Sequence, residues 1–212
     1  MTPDQIQAFQ RGPLAGPRPV DFYGVPLLVD GALGDKTRWA MDIATLPTWR
    51  QNQVRSVVSM HGRREEGVNR GAWLDPMFAI CRLDPDVDGD GPSEDGHPWC
   101  AVFASYHLAQ HSPYPFVPDA SVARLIRNLH PVAHDRAQPG DLAAALRADG
   151  TGHVGTLIAR GGGWSASCDG NLGNMVRTVR YPVHDRQYFS VEPQLLCPLV
   201  AMGIPLYTGS TR

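Results

Sequence analysis

The hydrophobic period of this chain changes once, near residue 139, and that change limits the folds open to it. Before it, apolar residues recur at helical spacing. The sets are Val54, Val57 and Val58; Trp73, Leu74, Met77 and Phe78; Val102, Phe103, Tyr106 and Ala109; and Val122, Leu125, Ile126 and Leu129. After it the pattern alternates between glycine-bearing turns, as half-buried strands require. Four strands are expected: from the turn Pro139-Gly-Asp141 to Leu146, over 151–159, over 164–168 and over 175–181. Helices first and an antiparallel meander after them make an α+β chain, with N-terminal helices packed on a small antiparallel β-sheet.

The 212 residues suffice for one substantial domain and an accessory lobe. A small helical cap is expected over 1–48, where an Asp-Gly turn at Asp30-Gly31 leads into a helix opening near Asp35, and the main domain over 49–212. A net charge of −2 gives no electrostatic case for nucleic acid or an anionic membrane. No apolar run is long enough to span a bilayer, and the N-terminus shows neither the basic nor the apolar region of a secretory signal. Synthesis in the cytoplasm is expected, so an extracytoplasmic role requires another exit route. The four cysteines, Cys81, Cys100, Cys168 and Cys197, lack paired CxxC spacing, which argues against a zinc knuckle. One bridge among Cys81, Cys168 and Cys197 is compatible with the spacing.

Cys100 carries the strongest chemical signal. Pro98 restricts helix before it, so the helix is expected to open near Cys100 and to set its thiol at the positive end of the helix dipole, which favours thiolate. The plain alternative is a small core residue. His153 opens a strand after a Thr-Gly turn, and Gly155 on the same face leaves room beside the imidazole. Asp169 and Asn171 follow sixteen and eighteen residues later. One hairpin on, either can orient the imidazole while its other nitrogen addresses the thiol. Cysteine on a helix, histidine on a strand and a polar group on the next strand form a papain-type arrangement.

Ahead of the cysteine, Asp86, Asp88, Asp90 and Glu94 place alternate carboxylates around a glycine-assisted turn, which suits Ca²⁺. It is not an EF-hand, because the twelfth position from Asp86 is His97 rather than glutamate. A solvated acidic loop is the alternative. His107 and His111 share a helix face at a spacing that can hold zinc, although no third ligand is evident and solvent exposure is expected. His97 reads as a turn residue, and Asp141 as the start of a strand.

Taken in order, Trp99-Cys100-Ala-Val-Phe103, Pro139-Gly-Asp141, Gly152-His-Val-Gly155 and Gly170-Asn171, closed by Val176, resemble the CHAP and NlpC/P60 group of peptidoglycan-cleaving cysteine enzymes. The likeness spans roughly residues 55–182. Glu65-Glu-Gly-Val-Asn-Arg-Gly71 is similar to the lead-in of phage-lysin-type members but lacks its proline. Asp30, Gly31, Gly34, Thr37 and Ala40 resemble a truncated repeat of the small peptidoglycan-binding domains. The resemblance implies a papain-like hydrolase with Cys100 as nucleophile, His153 as general base, and Asp169 or Asn171 as the orienting group. It implies no cofactor for the chemistry and, from some CHAP members, a structural Ca²⁺ at Asp86, Asp88, Asp90 and Glu94. Trp99 and Trp164 then become candidates for substrate contact, with core packing as the other reading.

The implied reaction is cleavage of a cell-wall amide, as an N-acetylmuramoyl-L-alanine amidase or a stem-peptide endopeptidase. The implied partner is bacterial peptidoglycan, with no nucleic acid and no membrane insertion. Delivery would be through a holin, a phage tail or a secretion system, the last with an immunity protein. Two other readings stand beside this one: a non-catalytic wall- or Ca²⁺-binding module, and a papain-type amidase acting on an amide outside the wall.

Overall fold

The computed structural model describes residues 1–12, 18–83 and 97–192. Among the described residues six helices precede the sheet: α1 (Pro3–Arg11), α2 (Asp35–Ala44), α3 (Thr48–Ser59), α4 (Asp75–Ile80), α5 (Cys100–His111) and α6 (Val122–Arg127). The strands are β1 (His130–Val132), β2 (Leu142–Leu146), β3 (Gly152–Arg160), β4 (Trp164–Asp169), β5 (Arg177–Pro182) and β6 (Gln187–Ser190), with a 3-10 turn at Val183–Asp185. They form one six-stranded sheet in the order β1-β6-β2-β3-β4-β5, and every neighbouring pair is antiparallel. The chain is therefore α+β. The sequence pattern does not announce β1 and β6, which are three and four residues long. Their pairing with each other and with β2 comes from tertiary contact, where short segments carry little periodicity of their own.

The sheet buries both faces. On one, Leu142, Ala144, Val154, Ile158 and Cys168 pack under α5 and its neighbours, with Phe103, Leu108, Val57 and Phe78 fully enclosed. Each large apolar side chain hidden there contributes about 1.5–3 kcal/mol. On the other face, Ala143, Leu157, Tyr181 and Tyr188 form a second layer. The sheet curls around that layer: the Tyr188 hydroxyl on β6 hydrogen-bonds Ser165 Oγ on β4 at 2.7 Å, although β2 and β3 lie between those strands. A register shift between Leu157 and Ala159 sits within the curl, as expected where an irregularity strengthens twist.

Described residues of the first 48 share the main core. Leu27, Trp39, Ala40 and Ile43 belong to the same cluster as Val54, Phe103 and Ile158, and the Trp39 indole donates to the Ile158 carbonyl at 2.8 Å. Buried Gln10 on α1 organises the Asp-Gly turn. Its carbonyl accepts from the amides of Asp30 and Gly31, and its amide donates to Asp30 Oδ1 and Thr37 Oγ1. Gly31 has φ +75°, a conformation that glycine adopts at no steric cost.

A buried arginine joins α3 to the sheet. Arg50 donates to Asp141 Oδ1 at 2.8 Å, to the Pro139 carbonyl at 3.0 Å and to Ser190 Oγ at 3.2 Å. It also pairs with Glu192 at 3.3 Å. Asp141 closes its own turn by accepting from the Gln138 amide, which gives Pro139-Gly-Asp141 a structural role at the entry to β2.

Candidate active site

Cys100 is the first residue of α5. The helix opens there because Pro98 stands two residues earlier and Trp99, at φ −113° and ψ 14°, already lies outside helical geometry. The Trp99 carbonyl accepts from the Phe103 amide at 2.8 Å, so the amides of the first turn, Cys100 included, lack partners within the helix. Trp99 holds this start in place. Its indole donates to Glu65 Oε2 at 3.0 Å, and its ring meets Trp73 and Phe103 edge-on at 5.3 and 6.2 Å. A Cβ on Gly170 would come within 2.6 Å of Phe103 and 2.8 Å of Trp99. The missing side chain is what lets the end of β4 close against α5.

His153 is the second residue of β3, and its side chain is 20% exposed. Its Nε2 meets Asp169 Oδ2 at 3.0 Å. The register explains the reach. Gly155 stands opposite Asp169, and a Cβ on Gly155 would collide with the Asp169 carboxylate, so the carboxylate occupies that vacancy and leans toward the imidazole. Burial works against a charged His153. It is outweighed by the hydrogen bond that His153 donates to Asp169, by the hydrogen bond with Cys100 and by the charge of both, and the pKa rises from 6.5 to about 9. The raised pKa favours the imidazolium at neutral pH, with the Cys100 sulfur beside it. With Nε2 on Asp169, Nδ1 is the nitrogen left to exchange a proton with the thiol.

Cys100, His153 and Asp169 are thus brought together. Asn171 is not part of that cluster. It adopts φ +56° and turns its amide to Asn69 Oδ1 at 3.0 Å, which ties down the loop ahead of α4. The two tryptophans expected to touch substrate do other work. Trp99 is fully buried and belongs to the core. Trp164 begins β4 at the end opposite Asp169, five residues and roughly 16 Å away, under the guanidinium of Arg180 at 4.1 Å.

Asp86, Asp88, Asp90 and Glu94 lie outside the described residues, as does Cys197. Among the described residues no group of three or more His, Cys, Asp or Glu side chains is placed to hold a metal ion. His107 is buried rather than solvent-exposed as expected. Its Nδ1 meets Ser56 Oγ at 2.9 Å, and burial, aided by His111, lowers its pKa to about 3. Cys81 and Cys168 are free thiols. Burial pushes Cys81 up to about 11 and Cys168 further still.

Two partners of Asp169 were not anticipated. Ser167 Oγ donates to Oδ1, and Arg186 Nη2 stands 3.7 Å from Oδ2. Strand alternation puts Ser167 on the face of Asp169 and could have identified it. Arg186 precedes a strand that the sequence pattern does not announce, so nothing local pointed to it.

No family model matches this sequence, and no curated protein matches it. Among solved structures it is similar to the P60 domain of antigen MAP1204 from M. avium subspecies paratuberculosis. The TM-score is 0.43 and the identity 14%, over 68% of this chain and 94% of that one. It is also similar to RipD of Mycobacterium tuberculosis, described as a non-catalytic NlpC/p60 domain protein adapted to a peptidoglycan-binding function. Here the TM-score is 0.40 and the identity 14%, over 68% of this chain and 98% of that one. The chemistry assigned to this chain rests on its own site.

Proposed function

We propose that the protein is a cysteine hydrolase that cleaves an amide bond of the bacterial cell-wall peptide. The observation that carries the hydrolase reading is the Cys100 sulfur at the start of α5 beside the His153 imidazole, whose Nε2 is held by a buried carboxylate. The wall as substrate follows from the sequence resemblance across residues 55–182.

In this mechanism the Cys100 proton passes to His153 Nδ1 and the sulfur attacks the amide carbonyl, forming a C–S bond and a tetrahedral oxyanion near the first-turn amides of α5 that have no partner within the helix. The oxyanion collapses, the C–N bond breaks, and the leaving nitrogen takes the proton from His153. Water then attacks the thioester while His153 accepts its proton. The C–S bond breaks, releasing a carboxylic acid and restoring the starting pair. Asp169 keeps the ring oriented throughout.

Turbidity of purified sacculi tests the proposal. Wild-type protein is expected to clear them, and the Cys100→Ala variant to leave them turbid while keeping its fold. Clearing by the variant at the wild-type rate would remove Cys100 from the mechanism. Calcium at the acidic stretch and delivery to the wall from the cytoplasm are parts of the same proposal. The first predicts that a chelator slows clearing, and an unchanged rate would discard it.

A further inference from the structure

We propose that Arg186 is a positioning residue, which shares the buried Asp169 carboxylate with His153 and so sets how tightly that carboxylate holds the imidazolium. The inference rests on the hydrolase reading above and adds a member to its site. Asp169 is fully buried, and three groups converge on it: His153 Nε2 at 3.0 Å, Ser167 Oγ and Arg186 Nη2 at 3.7 Å. Two of the three bear on the same oxygen, Oδ2. A second cation on the same carboxylate repels the first, so Arg186 offsets part of what Asp169 contributes to the imidazolium. With Arg186 in place, Asp169 orients the ring through Nε2 without stabilising the imidazolium so strongly that Nδ1 cannot give its proton to the leaving amine.

The sheet register builds this arrangement. Gln187 stands opposite Ala144, which carries Arg186 to the level of Ala145, and Ala145 stands opposite His153. Arg186 and His153 therefore flank one small residue, with their backbones about 10 Å apart. The guanidinium is only 14% exposed and lies over the Tyr181 ring at 4.8 Å, so its direction is fixed by packing. Its Nε is buried with no hydrogen-bond partner among the described residues. The side chain thus accepts a desolvation cost that packing alone does not explain. The other titratable groups facing this cluster are Cys100 from α5, Tyr181 on β5 and Tyr188 on β6, with His134 against the Tyr188 ring at 5.3 Å; Cys168, next to Asp169 in β4, points to the opposite face.

NMR titration of His153 tests the inference independently of any hydrolysis. Arg186→Met is expected to raise the pKa of His153 by about 0.5–1 unit, and Arg186→Lys to return most of the shift. On substrate, kcat should fall about three- to tenfold with KM unchanged in the Met variant. Should Arg186→Met fail to fold, Arg186→Gln carries the same expectation. In the wild type, the Arg186 guanidinium resonances should move as His153 titrates. An unchanged His153 pKa in a folded neutral variant, or stationary Arg186 resonances in the wild type, would overturn the inference. Failure to cleave sacculi with these shifts present would instead count against the hydrolase reading.

Discussion

Gly155 shows how much of this site depends on a side chain that is absent. The Asp169 carboxylate fills the place a Cβ would take, and from there it reaches His153. Gly155→Ala is therefore expected to displace the carboxylate and lower kcat/KM by about 10²-fold or more, with the fold kept. Steady-state kinetics beside far-UV circular dichroism checks this, and wild-type kinetics in the Ala variant would contradict it. The residues that meet at the site were legible as types: a cysteine opening a helix, a histidine opening a strand, and polar groups one hairpin on. What the sequence left open was the choice between Asp169 and Asn171. Both fall on one face by alternation, and only the β3–β4 register and the left-handed backbone of Asn171 separate them. Trp99 and Trp164 were open to two readings, because aromatic residues near a nucleophile can line a groove or pack in a core.

At the scale of elements, the site depends on how α5 and the strands are held against each other. Arg50 is the main polar tie. Its guanidinium and the Asp141 carboxylate are 1% and 3% exposed, so removing one partner strands a buried charge. Arg50→Met is expected to destabilise the protein by about 3–5 kcal/mol, read from urea denaturation. A loss below 1 kcal/mol (about the worth of an exposed pair) would show that the cluster relaxes into water. The helices and three of the four expected strands were legible from period and punctuation, and the fourth begins at Arg177 rather than Met175. β1 and β6 were not, because segments of three and four residues gain their structure from neighbours. That gap hid Arg186.

Across the whole molecule, two histidines give stability opposite dependences on pH. His153 has a folded pKa near 9, above its ordinary 6.5. Its contribution is fully present below about pH 6.5 and is lost as pH rises through about 9. His107, held near 3 by burial, does the reverse. The unfolded chain takes up its proton below pH 6.5, so stability falls on acidification. Stability from urea curves is therefore expected to be greatest near pH 6.5 and to fall on both sides. His153→Ala should flatten the curve between pH 6.5 and 8.5, and an unaltered slope there would mean that the Asp169 pairing does not favour the imidazolium.

The central claim is that Cys100, activated by His153, cuts an amide of the wall peptide. Mass analysis of muropeptides released from purified sacculi tests it most directly, with wild type beside Cys100→Ala. New free amino termini or separated peptide stems are expected with the wild type and none with the variant. The same products from both proteins, or sacculi bound but left uncut by the wild type, would contradict it.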